Sequence, residues 1–240
     1  MSAPTRSQAV AGSIEDTDLR KTISERAVET MCAEALLCGF AAVVVPSALV
    51  PLARGCIDAG SPSVATVVSY PFGTQGSLVK AREAEAAVDG GACELDVVPH
   101  FGAILAERWD SVRTELSEVR AAAGEATLKL VLEVARLTST QIREACAIAA
   151  GEGFDFVVNT VGFRLVSTDP NAEGSASAEV LTSLRALADD RLKLKAAGGI
   201  DSIDLAAALL VAGAERISVA VAPGRLRTMG LLGAAGGGVQ

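Results

Sequence analysis

The chain of 240 residues is half apolar but only 3% aromatic, and it carries a formal charge of −8 with a pI near 4.8. Such a length supports a core without disulfide staples, and an acidic balance with no basic arm disfavours nucleic acid as a partner. No basic segment leads into an apolar run, so neither a signal peptide nor a membrane span is expected.

Taken in order, residues 1–12 are small and polar and read as a flexible N-terminus. Residues 13–19 offer a first strand, weakened by its acidic side chains. An amphipathic helix is predicted from Ser24 to Cys38, stopped by Gly39. An apolar strand over 40–45 follows, closed by Pro46 with Ser47 as cap, and then a helix over 48–59. The same grammar recurs: strand 64–69, a Tyr70-Pro71-Phe72-Gly73 turn and helix 77–89; strand 94–98, a loop holding the only histidine, His100, and helix 109–123. Strand 128–134 and helix 139–150 come next, then strand 154–159, a long loop over 162–175 and helix 176–188. A strand from Leu192 breaks into the turn Ala196-Ala197-Gly198-Gly199 before helix 202–212. Strand 216–221, a helix near 225–232 and a flexible glycine-rich tail over 233–240 complete the chain.

Seven clear strands plus the weak first one alternate with helices, and right-handed crossovers leave an open doubly wound sheet or a closed barrel. Eight units, with no GxGxxG after the first strand and no Walker lysine loop, favour an α/β fold of the (β/α)8 TIM-barrel type, a single domain over 13–232. The five cysteines, Cys32, Cys38, Cys56, Cys93 and Cys146, are odd in number and lack a CxxC pair. They read as buried free thiols of a reducing cytoplasm; no disulfide, metal site or cofactor is expected.

In a barrel, chemistry sits at the C-terminal ends of the strands. The run LKLKAAGG puts Lys193 and Lys195 on one face and Leu192 and Leu194 on the other. If Lys195 faces inward, Asp96 in ELDVV and Glu133 in LKLVLEV are the other charges set amid apolar strand neighbours. A buried charge costs several kcal/mol unless paired, so the trio should converge, either as a catalytic cluster or as an ion network filling the barrel. His100, one residue after a proline at the same mouth, is a candidate general acid or simply a solvated loop histidine. Asn159, Thr160, Gly162, Gly198, Gly199 and Ser218 are candidates for substrate or anion binding, glycine turns offering exposed amides.

These residues resemble the deoxyribose-phosphate aldolase family, class I aldolases on a (β/α)8 barrel, over about residues 14–221. VATVVSYPFG at 64–73 resembles the family's third strand and its F-P-x-G turn, and GACELDVV at 91–98 is similar to G-A-D-E-[IV]-D-x-V. The latter implies that Asp96 is the proton-relay aspartate. LVLEV at 130–134 resembles the family's I-I-E-T strand, and LKAAGG at 194–199 its VKAAGG, which implies that Lys195 is the second active-site lysine.

The departures fall on the chemistry. Where the family reads D-F-[IV]-K-T-S-T-G-F this chain reads DFVVNTVGF, so Val158 stands at the position of the imine-forming lysine. Valine cannot form an imine. The phosphate loop G-[TA]-S-S is here Ser218-Val219-Ala220-Val221, D-H-T-L-L-K-P is EDTDLRK at 15–21, and C-V-N-P is Val43-Val44-Val45-Pro46. Three readings follow. The first is a diverged, aldolase-like lyase that keeps Asp96, Glu133 and Lys195 and acts on a small carbonyl substrate without the usual Schiff base, with Lys195 mainly a charged clamp and a relocated imine-forming amine as the alternative role. The second is a non-catalytic barrel that binds a metabolite or a partner protein, and the third a residual aldolase on the old substrate. The expected partner is a small-molecule carbonyl compound, without nucleic acid or membrane; a homodimer is compatible with the chain.

Overall fold

A computed structural model describes residues 10–58, 60, 62–162 and 175–220. Eight parallel strands close into a barrel in chain order: β1 Ile14–Thr17, β2 Ala42–Val44, β3 Ser63–Val68, β4 Glu94–Val97, β5 Thr127–Val131, β6 Phe156–Val158, β7 Lys193–Ala196 and β8 Ala214–Ala220. Pairing of Glu15 with both Ala42 and Ser218 closes the ring between β1, β2 and β8. Around it lie α1 Glu25–Cys38, α2 Val50–Cys56, α3 Ser77–Asp89, α4 Phe101–Leu105, α5 Trp109–Ala123, α6 Ser139–Gly151, α7 Ala178–Leu187 and α8 Ile203–Val211. The (β/α)8 reading of the sequence is correct.

Local signals set these elements. Ser24 caps α1 by accepting from the Ala27 amide at 3.3 Å, and Gly39 ends it at φ 69°, a left-handed conformation that costs glycine little. Thr138 and Gln141 form a reciprocal capping box on α6, which satisfies two otherwise orphaned donors. After β3 the turn passes beneath the β4 loop so tightly that a Cβ on Gly73 would lie 2.1 Å from the Pro99 carbonyl oxygen. Only glycine fits there. The core is Val-, Leu-, Ile- and Ala-rich, as a sheet buried on both faces requires.

Some expectations need correction. The loop after β4 contains a short helix, α4, with His100 as its N-cap. Strand β5 stops at Val131, so Glu133 lies beyond it. Of the cysteines, only Cys32 and Cys146 are buried, and Cys93 is exposed. The predicted tail and last helix, and most of the N-terminal segment and of the 162–175 loop, fall outside the described residues.

Asp16 is a costly side chain in the barrel wall. It points away from the axis toward α1, is wholly buried, and neither carboxylate oxygen has a hydrogen-bond partner among the described residues. Burial, with Glu34 and Asp18 adding repulsion, pushes its carboxyl up to about 8. An unfolded aspartate titrates near about 3.9, so the folded state holds a proton that the unfolded state has released. Stability is therefore lost as pH rises from about 4 to about 8 and levels off above. Asp16→Asn should thus gain on the wild type by roughly 4 kcal/mol between pH 5 and 9 in urea unfolding. A pH-independent difference between the two proteins would contradict this.

Candidate active site

Parallel register and the two-residue period of strands place six charged residues along the barrel axis: Glu15, Glu94, Asp96, Lys129, Lys195 and Arg216. Lys129 lies 2.6 Å from a Glu15 oxygen, 2.6 Å from Glu94 and 3.4 Å from Asp96. Lys195 hydrogen-bonds Glu15, and Asp96 at 2.5 Å. Burial would raise the Glu15 carboxyl, but the charges of Lys129 and Lys195 outweigh it and bring it to about 2. For Lys129 burial opposes the charge, and Glu15, Asp96 and Glu94 more than offset it, so its pKa is raised. The sequence points to Asp96 and Lys195 in this group. Glu15 and Lys129 escape it, although the alternation in IEDT and TLKLV marks both as facing the side opposite their apolar neighbours.

Lys193 shares the parity of Lys195 but not its site. It lies at the opposite, N-terminal opening, 3.6 Å from Glu215 and 5.6 Å from the centre of the Phe156 ring, with more than half its side chain exposed. Lys129 and Arg216 approach the same ring at 5.9 and 5.8 Å. The inner face of β7 is therefore cationic at both ends, but only Lys195 reaches the C-terminal mouth.

That mouth is a cavity of about 310 Å3, the small end of small-molecule sites, with Lys195 and Asp96 in its lining. On the β1–β8 side the Thr17 and Ser218 hydroxyls are 2.8 Å apart, and Asp18 grips Arg20 through Nε at 2.8 Å and Nη2 at 2.5 Å. Gly198 and Gly199, at φ 90° and 70°, line the β7 side. On the far side stand Val131, Val158, Val161 and Tyr70. The Tyr70 hydroxyl donates to the Val161 carbonyl at 3.0 Å; burial first, then Asp96 and Glu133, pushes the phenol up to about 12. Tyr70 and Arg20 carry no periodic signal, because each lies in a loop after its strand.

The remaining expectations divide. Gly162, Thr160 and Ser218 line the mouth. Glu133 is near it but joins no lysine: one carboxylate oxygen accepts from Thr160 Oγ1 at 3.0 Å and from the Val161 amide at 2.8 Å, since the chain has left the strand before residue 133. Asn159 is buried, its amide bonded to both the N–H and the C=O of Ala197 at 2.8 and 3.1 Å. It ties the β6 loop to β7 without lining the cavity. His100 belongs elsewhere: Nδ1 accepts from the Ala103 amide at 2.9 Å, and the ring lines a separate polar cavity with Arg108 and Ser77. Its amide donates to Glu115 at 3.0 Å, which pairs with buried Lys80 at 2.9 Å.

The ion network gives a stability prediction. Removing one member of a buried pair leaves an uncompensated charge and costs about 3–5 kcal/mol, whereas an exposed pair is worth about 1 kcal/mol or less. Lys129→Met should lower unfolding free energy by that larger amount and Lys193→Met by the smaller; equal effects in chemical denaturation would contradict the assignment.

A family model described as the DeoC/LacD family aldolase matches residues 10–233. Among similar proteins is deoxyribose-phosphate aldolase 1 of Cutibacterium acnes, 37% identical over 209 residues that cover 87% of this chain and 93% of that one. Among solved structures, the aldolase QR15 superposes with a TM-score of 0.79 at 30% identity, over 87% of this chain and 90% of its own. A tetrameric deoxyribose phosphate aldolase from Aeropyrum pernix gives 0.77 at 25% identity, over 89% and 87% of the two chains.

Proposed function

Because the chain belongs to the DeoC/LacD family of aldolases, we propose that it acts on a small carbonyl compound at the C-terminal mouth, with Lys195 as a charged clamp on the carbonyl oxygen and Asp96 as the proton carrier. One observation carries this reading: Lys195 Nζ, almost fully buried at the cavity floor, is held between Glu15 and Asp96. An ammonium has three donors, and these carboxylates take two. The third is left for a substrate oxygen, in a water-poor site where such a charge is worth far more than in bulk solvent.

Asp96 Oδ2 faces Lys195 at 2.5 Å, while the buried Oδ1 is turned toward Lys129 at 3.4 Å, short of a hydrogen bond. In the proposed step the Asp96 carboxylate, which lines the cavity, takes the proton from the carbon next to the carbonyl. The C–H electron pair moves onto the carbonyl oxygen, and the resulting enolate is met by the Lys195 ammonium. Return of the proton gives exchange; attack of the enolate carbon on a second carbonyl gives an aldol, and the reverse sequence cleaves one. Support for a route without an imine comes from Val158, a hydrocarbon on the cavity wall at the position where the family resemblance implies the imine-forming lysine. A second reading, a barrel that binds a metabolite without turning it over, draws on the two carboxylates that already hold Lys195.

The test is α-proton exchange of small aldehydes and ketones in D2O, followed by proton NMR. The proposal expects exchange above buffer that falls at least about 100-fold in Asp96→Asn and in Lys195→Met. It also expects cleavage of 2-deoxyribose 5-phosphate far below about 1 s⁻¹, the low end of typical enzymes. Turnover of that sugar phosphate near such a rate would contradict the proposal. Binding without any exchange would leave the second reading in its place.

A further inference from the structure

Among the described residues, the ion network occupies the floor of the mouth and polar groups one side, and the opposite side is mainly hydrocarbon. Val131, Val158 and Ala197 belong to a small apolar cluster separate from the main core, and Tyr70 and Val161 pack against it. All five line the cavity that also holds Lys195 and Asp96. Val158 is the register neighbour of Lys195 on the adjacent strand, so the wall begins about 4.8 Å, one strand spacing, from the cation's own strand.

Loop backbone normally brings N–H and C=O groups to such a wall, and here they are already taken. Both backbone polar groups of Val161 are occupied, the N–H by Glu133 and the C=O by the Tyr70 hydroxyl. Both groups of Ala197 are occupied by the side-chain amide of Asn159. The Val158 carbonyl accepts from the Leu132 amide at 2.9 Å. Glu133, Tyr70 and Asn159 thus share one effect: they occupy backbone hydrogen-bonding groups on this side of the mouth. A substrate arm bearing hydroxyls would lose water there and find few open partners among the described residues, whereas an alkyl arm is favoured by each methylene it buries.

We infer that the mouth selects a carbonyl compound carrying a short, unhydroxylated alkyl arm, seated against Val131, Val158 and Val161 while its carbonyl oxygen faces Lys195. This names the substrate class of the site proposed above and rests on that reading for the position of the carbonyl. It also explains why the polar Tyr70 and Glu133 stand at an apolar wall. They act on it as positioning residues, through the backbone of Val161.

Binding of a homologous series tests the inference without requiring turnover. With the full-length protein, acetone, butanone, 2-pentanone and 2-hexanone are titrated beside hydroxyacetone and dihydroxyacetone, with affinities from ligand-observed NMR. Affinity should rise about three- to fourfold per methylene over the first two or three members, and dihydroxyacetone should bind more weakly than 2-pentanone. Val158→Thr, nearly equal in volume but with a hydroxyl on the wall, should cut the gain to less than about twofold per methylene. Tyr70→Phe, which frees the Val161 carbonyl, should shift preference several-fold from butanone toward hydroxyacetone. A flat series, tighter binding of dihydroxyacetone, or no ketone binding at all would overturn the inference. Ketone selectivity without proton exchange would retain the alkyl subsite and remove only the catalytic reading; exchange with a flat series would do the reverse.

Discussion

The interaction on which the rest depends is the ion cluster on the barrel axis, where the carboxylates of Glu15 and Asp96 are shared between Lys129 and Lys195. Each of these side chains would be destabilising alone, because a desolvated charge costs several kcal/mol even after relaxation. They are tolerated because closure of the barrel brings β1, β4, β5 and β7 around one axis. Glu15 is 114 positions from Lys129 and 180 from Lys195, so no local structure can form these pairs. The first strand has no other strong claim to its place: four residues, two of them acids, become strand when the lysines opposite can receive Glu15 and the barrel closes on β8.

The same cluster gives the mouth its chemical character. By holding Lys195 in a fixed position with two carboxylates, it presents a preorganised charge at the cavity floor, which is most effective where charge develops during a reaction. The valine wall next to it is apolar, and low polarity beside a charge strengthens its field. Glu133, Tyr70 and Asn159 extend this arrangement by absorbing backbone polarity at the edge of the site. Charge at the floor and hydrocarbon at the wall are two halves of one device, since a cation in a wet, polar mouth would be screened.

Much of this was legible in the sequence. Helix caps, glycine stops and apolar alternation mark nearly every element, and parity alone directs Asp96 and Lys195 inward. Parity fails where an element ends early: extended along an unbroken strand, the same alternation carries Glu133 inward, but β5 terminates at Val131 and the next turn swings the carboxylate onto the β6 loop. Acidic content argues against a strand at residues 14–17 because local rules read carboxylates as solvated; their partners are remote in the chain. Glu15 and Lys129 were available to the same parity argument as Lys195, and the density of charge in IEDT and the lack of a glycine turn after TLKLV hide them. His100 shows the opposite error, a lone histidine near a strand end whose ring is spent capping a short helix. Tyr70 is visible only in three dimensions, because its effect runs through a carbonyl 91 positions away.

The central claim is that the Glu15–Lys195–Asp96 arrangement makes Lys195 a fixed ammonium and not a nucleophile. The most direct measurement is 15N NMR of the protein with labelled lysine side chains, the Lys195 resonance assigned with Lys195→Arg and recorded at pH 7 with and without a small aldehyde. The account predicts a slowly exchanging nitrogen bearing three hydrogens, its shift perturbed by the aldehyde but its three hydrogens retained. A two-hydrogen amine at pH 7, or conversion of that signal to an imine when the aldehyde is added, would contradict it.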